Sequence, residues 1–324
     1  QKTLGRYMKR RDFIKTTAAA IAAAYIPFSG AADIPAEISC MSRTGNIIGL
    51  KRSDVADLAK SLQRKLLLKT TPHYHQERTI WNGLSDDKLP ALIAQCIDSD
   101  DVISAVNFAR SHDLLVTVRG GGHGISGKAV ENDTLLIDLS KMSNLSADPT
   151  TMTAVGEPGV LLRELDRGTQ AHGMVVPAGV VSHTGISGLT LGGGIGINMR
   201  KMGLTSDNLL SVQIVTADGK LRTASDTENT DLFWAVRGGG GNFGIVTSFK
   251  FQAHPVKMVI GGPTLWPVEQ TEEIMEWYHD FIHNADENLN GFVATMIIPG
   301  PPFPEHLHMK KFCGIVWCYV GDPA

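Results

Sequence analysis

Residues 118–129 read VRGGGHGISGKA, a glycine run of the kind that cradles phosphate, with a histidine set into it. Taken literally, Gly122, Gly124 and Gly127 spell the G-x-G-x-x-G of a dinucleotide fold, and Gly122 to Lys128 spell all but the last letter of a P-loop. The P-loop needs a Ser or Thr after its lysine, because that hydroxyl is a magnesium ligand, and Ala129 stands there. A dinucleotide fingerprint needs a helix that starts inside the run and turns its N-terminus to the pyrophosphate. The run leads instead into KAVENDTLLIDLS, where Leu135, Ile137 and Leu139 alternate with Leu136, Asp138 and Ser140 after a Glu131-Asn132-Asp133 turn. That is the pattern of a strand. Gly239, Gly241 and Gly244 repeat the fingerprint and fail it in the same way, since the IVTSFKF after them is β-branched and aromatic. Neither match supports a Rossmann helix.

The whole chain of 324 residues carries 43% apolar side chains at ordinary charge density, enough to bury a sizeable core and to make about two domains. A net charge of −3 supplies no basic field, and five Trp form no stacking series, so nucleic acid is excluded as a partner. The 34 glycines are the exception to an average composition, and most fall in three runs at 120–127, 185–196 and 238–244. No fixed period connects the runs, which points to one site built from three loops and not to a solenoid.

At the amino terminus Arg10-Arg11-Asp12-Phe13-Ile14-Lys15 resembles a bacterial twin-arginine signal, followed by an Ala-rich stretch and small residues around 31–36. The apolar part runs from about Thr16 to Ile26, short of the roughly 20 residues that span a bilayer, so export is expected and a stable membrane anchor is not. The resemblance implies the twin-arginine export machinery as a partner, passage of an already folded protein, and a periplasmic or extracellular location. Cys40, Cys96, Cys313 and Cys318 lack the paired spacing of a structural zinc site, and His73/His75 and His279/His283 read as surface histidines without a completing ligand, so no metal is expected.

Along the chain, a polar helical stretch is read near 52–69. Residues 87–123 then give strand, helix, strand, with Val102, Val106 and Ala109 on one face of a helix opened by Asp100-Asp101 and an apolar strand at Leu114 to Val118. Short strands at 153–155 and 174–176 flank a helix near 160–172. The second glycine run is read as a loop leading to a hairpin that turns at Ala217-Asp218-Gly219. A capped helix, the third glycine loop and a closing strand come next. Glycine density falls after 258, where TEEIMEWYHDFIHNA reads as an amphipathic helix beside apolar strands and a second domain begins.

Five stretches in order over roughly residues 77–258 carry a specific resemblance: ERTIWNG, DLLVTVRGGGHGISG, HGMVVPAGVVSHTGISGLTLGGGIG, MGLTSDNLLSVQIVTADG and DLFWAVRGGGGNFGIVT. They resemble the FAD-linked oxidases of the berberine-bridge-enzyme-like group, in the vanillyl-alcohol-oxidase superfamily with its PCMH-type FAD-binding domain. The resemblance implies an α+β fold. A signal region (1–40) and a lead-in (41–76) precede a PCMH-type FAD-binding domain of two α/β subdomains (77–258). A partial substrate domain with an antiparallel sheet and helices (259–324) closes the chain.

It also implies FAD as cofactor, with the histidine of the first loop bonded to the flavin 8α-methyl carbon; here that position is His123. Further FAD contacts carried over are Arg119, Gly120, Gly121, Gly122, Gly124, Ile125, Ser126 and Gly127. From the second run come Thr184, Gly185, Ile186, Gly188, Gly192, Gly193, Gly194 and Gly196, with Asp207 beyond it, and from the third Gly241, Gly244, Ile245 and Val246. Physically, successive glycines let backbone N–H groups converge on a pyrophosphate without a helix terminus, where Cβ atoms would obstruct the approach. A neutral imidazole nitrogen held on a rigid loop is a competent nucleophile. The family's second, cysteinyl tether falls on Val181, so one covalent link is expected, and Thr184 takes the position near the reactive flavin edge that governs oxygen access.

By the same resemblance the reaction is hydride transfer from an alcohol or amine carbon of a small-molecule substrate to the flavin, with reoxidation by dioxygen to hydrogen peroxide. Sugar-oxidising relatives carry a tyrosine two residues after the histidine; Ile125 stands there, which favours an aromatic or alkaloid-like substrate. The family continues past this point, whereas the chain ends at CYVGDPA in what reads as mid-domain. No catalytic base is therefore assigned, Tyr278 and Tyr319 read as packing residues, and a 324-residue product is expected to be impaired by an unpaired sheet edge. Three readings stay open: an exported flavin oxidase, a flavin-binding protein without turnover, and a nicotinamide-dependent dehydrogenase.

Overall fold

The computed structural model describes residues 34–322, so the Arg10-Arg11 pattern lies outside the described residues. Among the described residues three sheets of three or more strands succeed one another along the chain, beside two two-stranded pairs. The first lobe opens with the hairpin β1 (Glu37–Met41) and β2 (Ile47–Lys51). Then come α1 (Arg52–Ser61), β3 (Lys65–Leu68), α2 (Tyr74–Glu77), β4 (Leu92–Gln95), α3 (Ser99–Ser111), β5 (Val116–Arg119) and β6 (Leu135–Asp138). Its sheet runs β3-β4-β6-β5, with β6 parallel to both β4 and β5 and β3 antiparallel at the edge. Helix α3 starts where the Asp98 carboxylate accepts the amides of Asp100 and Asp101, both at 3.0 Å. It buries Val102, Ala105, Phe108 and Ala109 against the sheet, with Val106 only half-buried beside them.

The helical reading of 52–69 holds for Arg52–Ser61 and is corrected beyond it, because Lys65–Leu68 is a strand. Three successive leucines cannot all sit on one helical face, but in a strand they alternate. Leu66 and Leu68 enter the main core of this lobe, and Leu67 joins Tyr74, Ile93 and Leu136 in a separate cluster. Cys40, Leu50, Val55 and Leu58 belong to that main core as well, so residues 34–76 pack with the strands that deliver the first glycine run.

The second lobe comprises β7 (Leu145–Asp148), β8 (Thr153–Gly156), α4 (Leu162–Gln170), β9 (Met174–Val175), α5 (Ile186–Leu191), α6 (Met199–Met202), β10 (Leu209–Val215), β11 (Leu221–Ser225), α7 (Thr230–Val236), β12 (Ile245–Gln252) and β13 (His254–Pro255). Its antiparallel sheet has the order β11-β10-β12-β8-β7. The second glycine run is not all loop, as the sequence suggested. From an extended Gly185, Ile186–Leu191 forms a helix that buries Ile186, Ser187, Thr190 and Leu191. The spacing i, i+1, i+4, i+5 is one helical face, and the glycines around it hid that periodicity.

The third sheet pairs β14 (Ile260–Pro267), β15 (Leu289–Ile297) and β16 (Lys311–Tyr319) in the order β14-β16-β15, all antiparallel, with α8 (Thr271–Asn284) beside it. Trp277, Tyr278 and Phe281 of α8 pack around Trp317, and the Tyr278 hydroxyl donates to the Gly291 carbonyl at 2.6 Å. Arg200 on α6 holds this unit to the second lobe by donating to the carbonyls of Ala285 and Asp286 at 3.1 and 3.0 Å.

Beneath α6, the Asn208 amide donates to the carbonyls of Met202 and Leu204 at 2.7 and 2.8 Å, and His254 Nε2 meets Asn208 Oδ1 at 2.5 Å. Burial holds His254 below its usual 6.5, so the unfolded chain takes up a proton before the folded one. The stability this contributes is complete above pH 6.5 and is lost as pH falls towards the folded value. His254→Gln is therefore expected to flatten the decline in unfolding free energy from about pH 7 to pH 5 that urea titrations of the wild type would show. An unchanged pH profile in the variant would refute this account.

Candidate functional site

Adjacent residues of β12 mark the seam between the first two lobes, since Ile245 packs into the core of the first and Val246 into the core of the second. A cavity of about 430 Å³ opens at this seam, a size typical of cofactor and ligand sites. All three glycine runs line it. Gly120 to Gly124 come from the loop after β5, Thr184, Gly185 and Gly188 from the start of α5, and Gly240, Gly241 and Gly244 from the turn before β12. The runs also touch one another. The Gly238 amide donates to the Leu191 carbonyl at 3.0 Å. A Cβ on Gly121 would lie 2.4 Å from the Cα of Gly185, and one on Gly185 2.6 Å from the Cα of Gly121.

Other glycines of the lining have a different reason to lack a side chain. A Cβ on Gly124, Gly188 or Gly241 would meet no protein atom within 4 Å. Gly188 even interrupts a helix, where glycine costs about 1 kcal/mol relative to alanine, without any crowding to require it. All three line the cavity. Among the described residues, the backbone amides of 121–126 donate to no backbone or side-chain acceptor. Among the described residues no Asp, Glu, Lys or Arg lines the cavity; its polar groups include the amides of 121–124, the Thr184 and Ser187 side chains and His123. An uncharged wall of convergent N–H donors is suited to a pyrophosphate, and the apolar side chains of Val118, Leu139, Leu189, Leu191 and Ile245 suit ring systems on either side of one.

His123 sits on this wall with a buried Nε2 that has no hydrogen-bond partner. Two rings pack against its imidazole: Trp81, stacked at 4.5 Å between centroids and 18° between planes, and His183, tilted at 4.7 Å and 41°. A buried ring nitrogen without a partner is costly unless a bound group satisfies it. These features, with the open glycines and free amides, fit an FAD.

Other carried-over residues lie elsewhere. Arg119 ends β5 opposite Asp138, the end of β6. Its guanidinium forms a buried two-bond pair with that carboxylate at 3.0 and 2.6 Å and donates a third bond to the Thr79 carbonyl at 3.1 Å. That leaves it a structural strut beneath the loop. Ile186 is buried in the second core and its amide is taken by the Val160 carbonyl at 2.9 Å. Ile125 and Ser126 are exposed on the outer side of the first loop, and Gly127 turns beside Ser85 with a φ of +68°. Gly192, Gly193, Gly194 and Gly196 form the turn after α5, where Gly194 abuts Thr205 and Gly196 abuts Ala178. Asp207 accepts the Leu204 amide at 2.8 Å, a local turn bond outside the cavity.

Conversely, Val118, Ala129, Leu139, Ser187, Leu189, Leu191 and Gly240 line the cavity although the sequence reading assigned them no contact. Strand alternation held the signal for one of them. Val118 must face away from Arg119, and the Arg119 side chain is occupied at Asp138. Trp81 and His183 carried no signal, since ring stacking joins residues far apart in the chain.

Comparison with known proteins is consistent with this geometry. Residues 90–225 match a family model described as an FAD binding domain. An FAD-linked oxidoreductase of Dictyostelium discoideum is 37% identical over 233 residues, covering 72% of this chain and 51% of the relative. The (R)-6-hydroxynicotine oxidase of Paenarthrobacter nicotinovorans is 35% identical over 257 residues, covering 79% of this chain and 52% of the relative. The structure of BBE-like 1 from Physcomitrella patens superposes with a TM-score of 0.73 at 27% identity, covering 83% of this chain and 56% of that one. The chain thus spans about half the length of the relatives it matches. By these matches residues 90–225 are similar to an FAD binding domain, and the chain is a homologue of FAD-linked oxidoreductases with the mixed α/β fold of the PCMH-type domain.

Proposed function

We propose that this chain is the flavin-carrying part of an oxidase that takes hydride from an alcohol or amine carbon of a small organic molecule, with dioxygen as the final acceptor, and that His123 is its single covalent tether. The observation that carries the reading is the unpartnered His123 Nε2 on a neutral cavity lined by all three glycine runs. The flavin, when bound, supplies the hydride acceptor. The chain's own residues hold and shield it. Amides of the first loop bind the pyrophosphate, Val118, Leu139, Ile245 and Val246 exclude water from the seam, and His123 fixes the flavin end. An aromatic amine or alcohol is the proposed substrate class, supported by the 6-hydroxynicotine oxidase relative and by Ile125 in place of a tyrosine. The Arg10-Arg11 pattern supports export of the folded, flavin-loaded protein by the twin-arginine route to the periplasm or beyond.

A second reading, flavin binding without turnover, is favoured by one observation: among the described residues no carboxylate, lysine or tyrosine lines the cavity to act as a base. Anaerobic mixing of the flavin-loaded protein with aromatic amines and alcohols separates the two. Bleaching of the flavin absorbance, with peroxide release on admitting air, supports the oxidase. A flavin that no such compound bleaches supports the second reading.

The glycine geometry makes a separate prediction about binding. In a His123→Ala background, where binding is reversible, Gly241→Ala should keep the thermal stability of the parent and Gly188→Ala should keep or raise it. A methyl group intruding on the ligand costs ~1–3 kcal/mol, so flavin titration should show affinity weaker by roughly tenfold or more. Gly121→Ala should instead lower stability, because its Cβ meets the Gly185 backbone. Unweakened binding in both of the first two variants would mean that the cavity does not hold the flavin.

A further inference from the structure

We propose that Trp81 and Asn82 form an external clamp that positions His123 for attachment, with Trp81 as the positioning residue. The inference rests on the proposed His123 tether. The indole stacks on the imidazole at 4.5 Å with the planes 18° apart, and Trp81 is 57% exposed, so it is no core residue kept for burial. The backbone joins in. The Trp81 amide donates to the Gly122 carbonyl at 2.9 Å, and the Asn82 side-chain amide donates to the Ile125 carbonyl. These bonds grip the loop on both sides of His123 and Gly124, where Gly122 has a φ of +66° and no protein atom packs on the side-chain face of Gly124. Since Nε2 makes no hydrogen bond, nothing at that atom fixes the ring. The stack supplies the missing orientation for a step in which the imidazole nitrogen would bond to the 8α carbon, the N–H and one C–H proton would be lost, and the two electrons would pass to the flavin ring and on to dioxygen, giving hydrogen peroxide. Trp81 does not itself line the cavity, and it acts on the site through the two lining residues it contacts, His123 by its indole and Gly122 by its amide.

The test uses the full chain as purified, with two readouts that a merely structural role would not separate. Total flavin is read from the absorbance of the native protein after desalting. Covalent flavin is read from fluorescence that stays with acid-denatured, washed protein, sampled over time with excess FAD. Trp81→Ala is expected to hold as much total flavin as wild type while forming the covalent bond at least about tenfold more slowly, the scale on which lost orientation acts. Trp81→Leu, apolar but without a flat face, should be equally slow, and Trp81→Phe should recover most of the rate. Either slow variant suffices if the other does not fold. Attachment at the wild-type rate in Trp81→Ala or Trp81→Leu overturns the clamp while leaving the tether intact. A parallel loss of total flavin also overturns it, because Trp81 would then be a binding residue. If the wild type holds no covalent flavin, or His123→Ala keeps it, the tether itself has failed.

Discussion

Replacing His123 with alanine is expected to abolish the flavin fluorescence that remains with the denatured, washed protein, while native protein still binds FAD reversibly. The effect is all-or-none because it concerns one covalent bond and one candidate nucleophile. No Cys, Lys or Tyr lines the cavity, and Val181 stands where a second tether would need a cysteine. Reversible binding should survive because the donors that meet the pyrophosphate are main-chain amides, which a side-chain truncation does not remove. A denaturing gel viewed under ultraviolet light, beside the absorbance spectrum of the native protein, reads both quantities at once. Fluorescence that persists in His123→Ala would move the tether to another residue. Its absence from folded wild type would show that FAD is held without a bond.

The largest effect on stability is expected beneath the same loop. Asp138 is fully buried and takes two bonds from Arg119, whose side chain is itself only 8% exposed. Truncation to Asp138→Ala leaves the buried guanidinium with only the Glu77 carboxylate, 3.7 Å away and not hydrogen-bonded to it, which costs up to about 3–5 kcal/mol. It also frees the end of β5 from the end of β6, the two strand termini that launch the loop carrying His123 and pair in register there. Chemical denaturation monitored by tryptophan fluorescence should show the loss directly. The double variant Arg119→Met/Asp138→Leu should recover much of it, because replacing both partners by apolar groups removes the stranded charge. A cost below about 1 kcal/mol for Asp138→Ala would mean that Arg119 finds other partners and that the pair is no strut.

Much of the fold was legible because short-range chemistry wrote it. The Leu135/Ile137/Leu139 alternation and the β-branched run after Gly244 declared strands where a nucleotide fold would need helices, and β6 and β12 are those strands. The turn at Ala217-Asp218-Gly219 declared the β10–β11 hairpin, and there Asp218 accepts from Arg222 and Thr216. Lys65–Leu68 and Ile186–Leu191 escaped a correct reading for related reasons. A three-leucine run is equally apolar in a buried strand or a helix, and glycines at both ends concealed a one-and-a-half-turn helix whose stability comes from the core it packs on.

For this protein, residue order alone determined the strand and turn pattern, the exclusion of P-loop and Rossmann geometry, and the clustering of glycine into three runs, because propensity and periodicity act over a few neighbouring residues. Packing decided which glycines crowd one another and which do not, as Gly121 and Gly185 meet backbone to backbone while Gly124, Gly188 and Gly241 face open space. It also decided that Arg119 is a strut and that Trp81 and His183 lie against His123. Those outcomes depend on which surfaces meet across the seam between two sheets, and burial, charge pairing and ring stacking between distant segments leave no period in the chain.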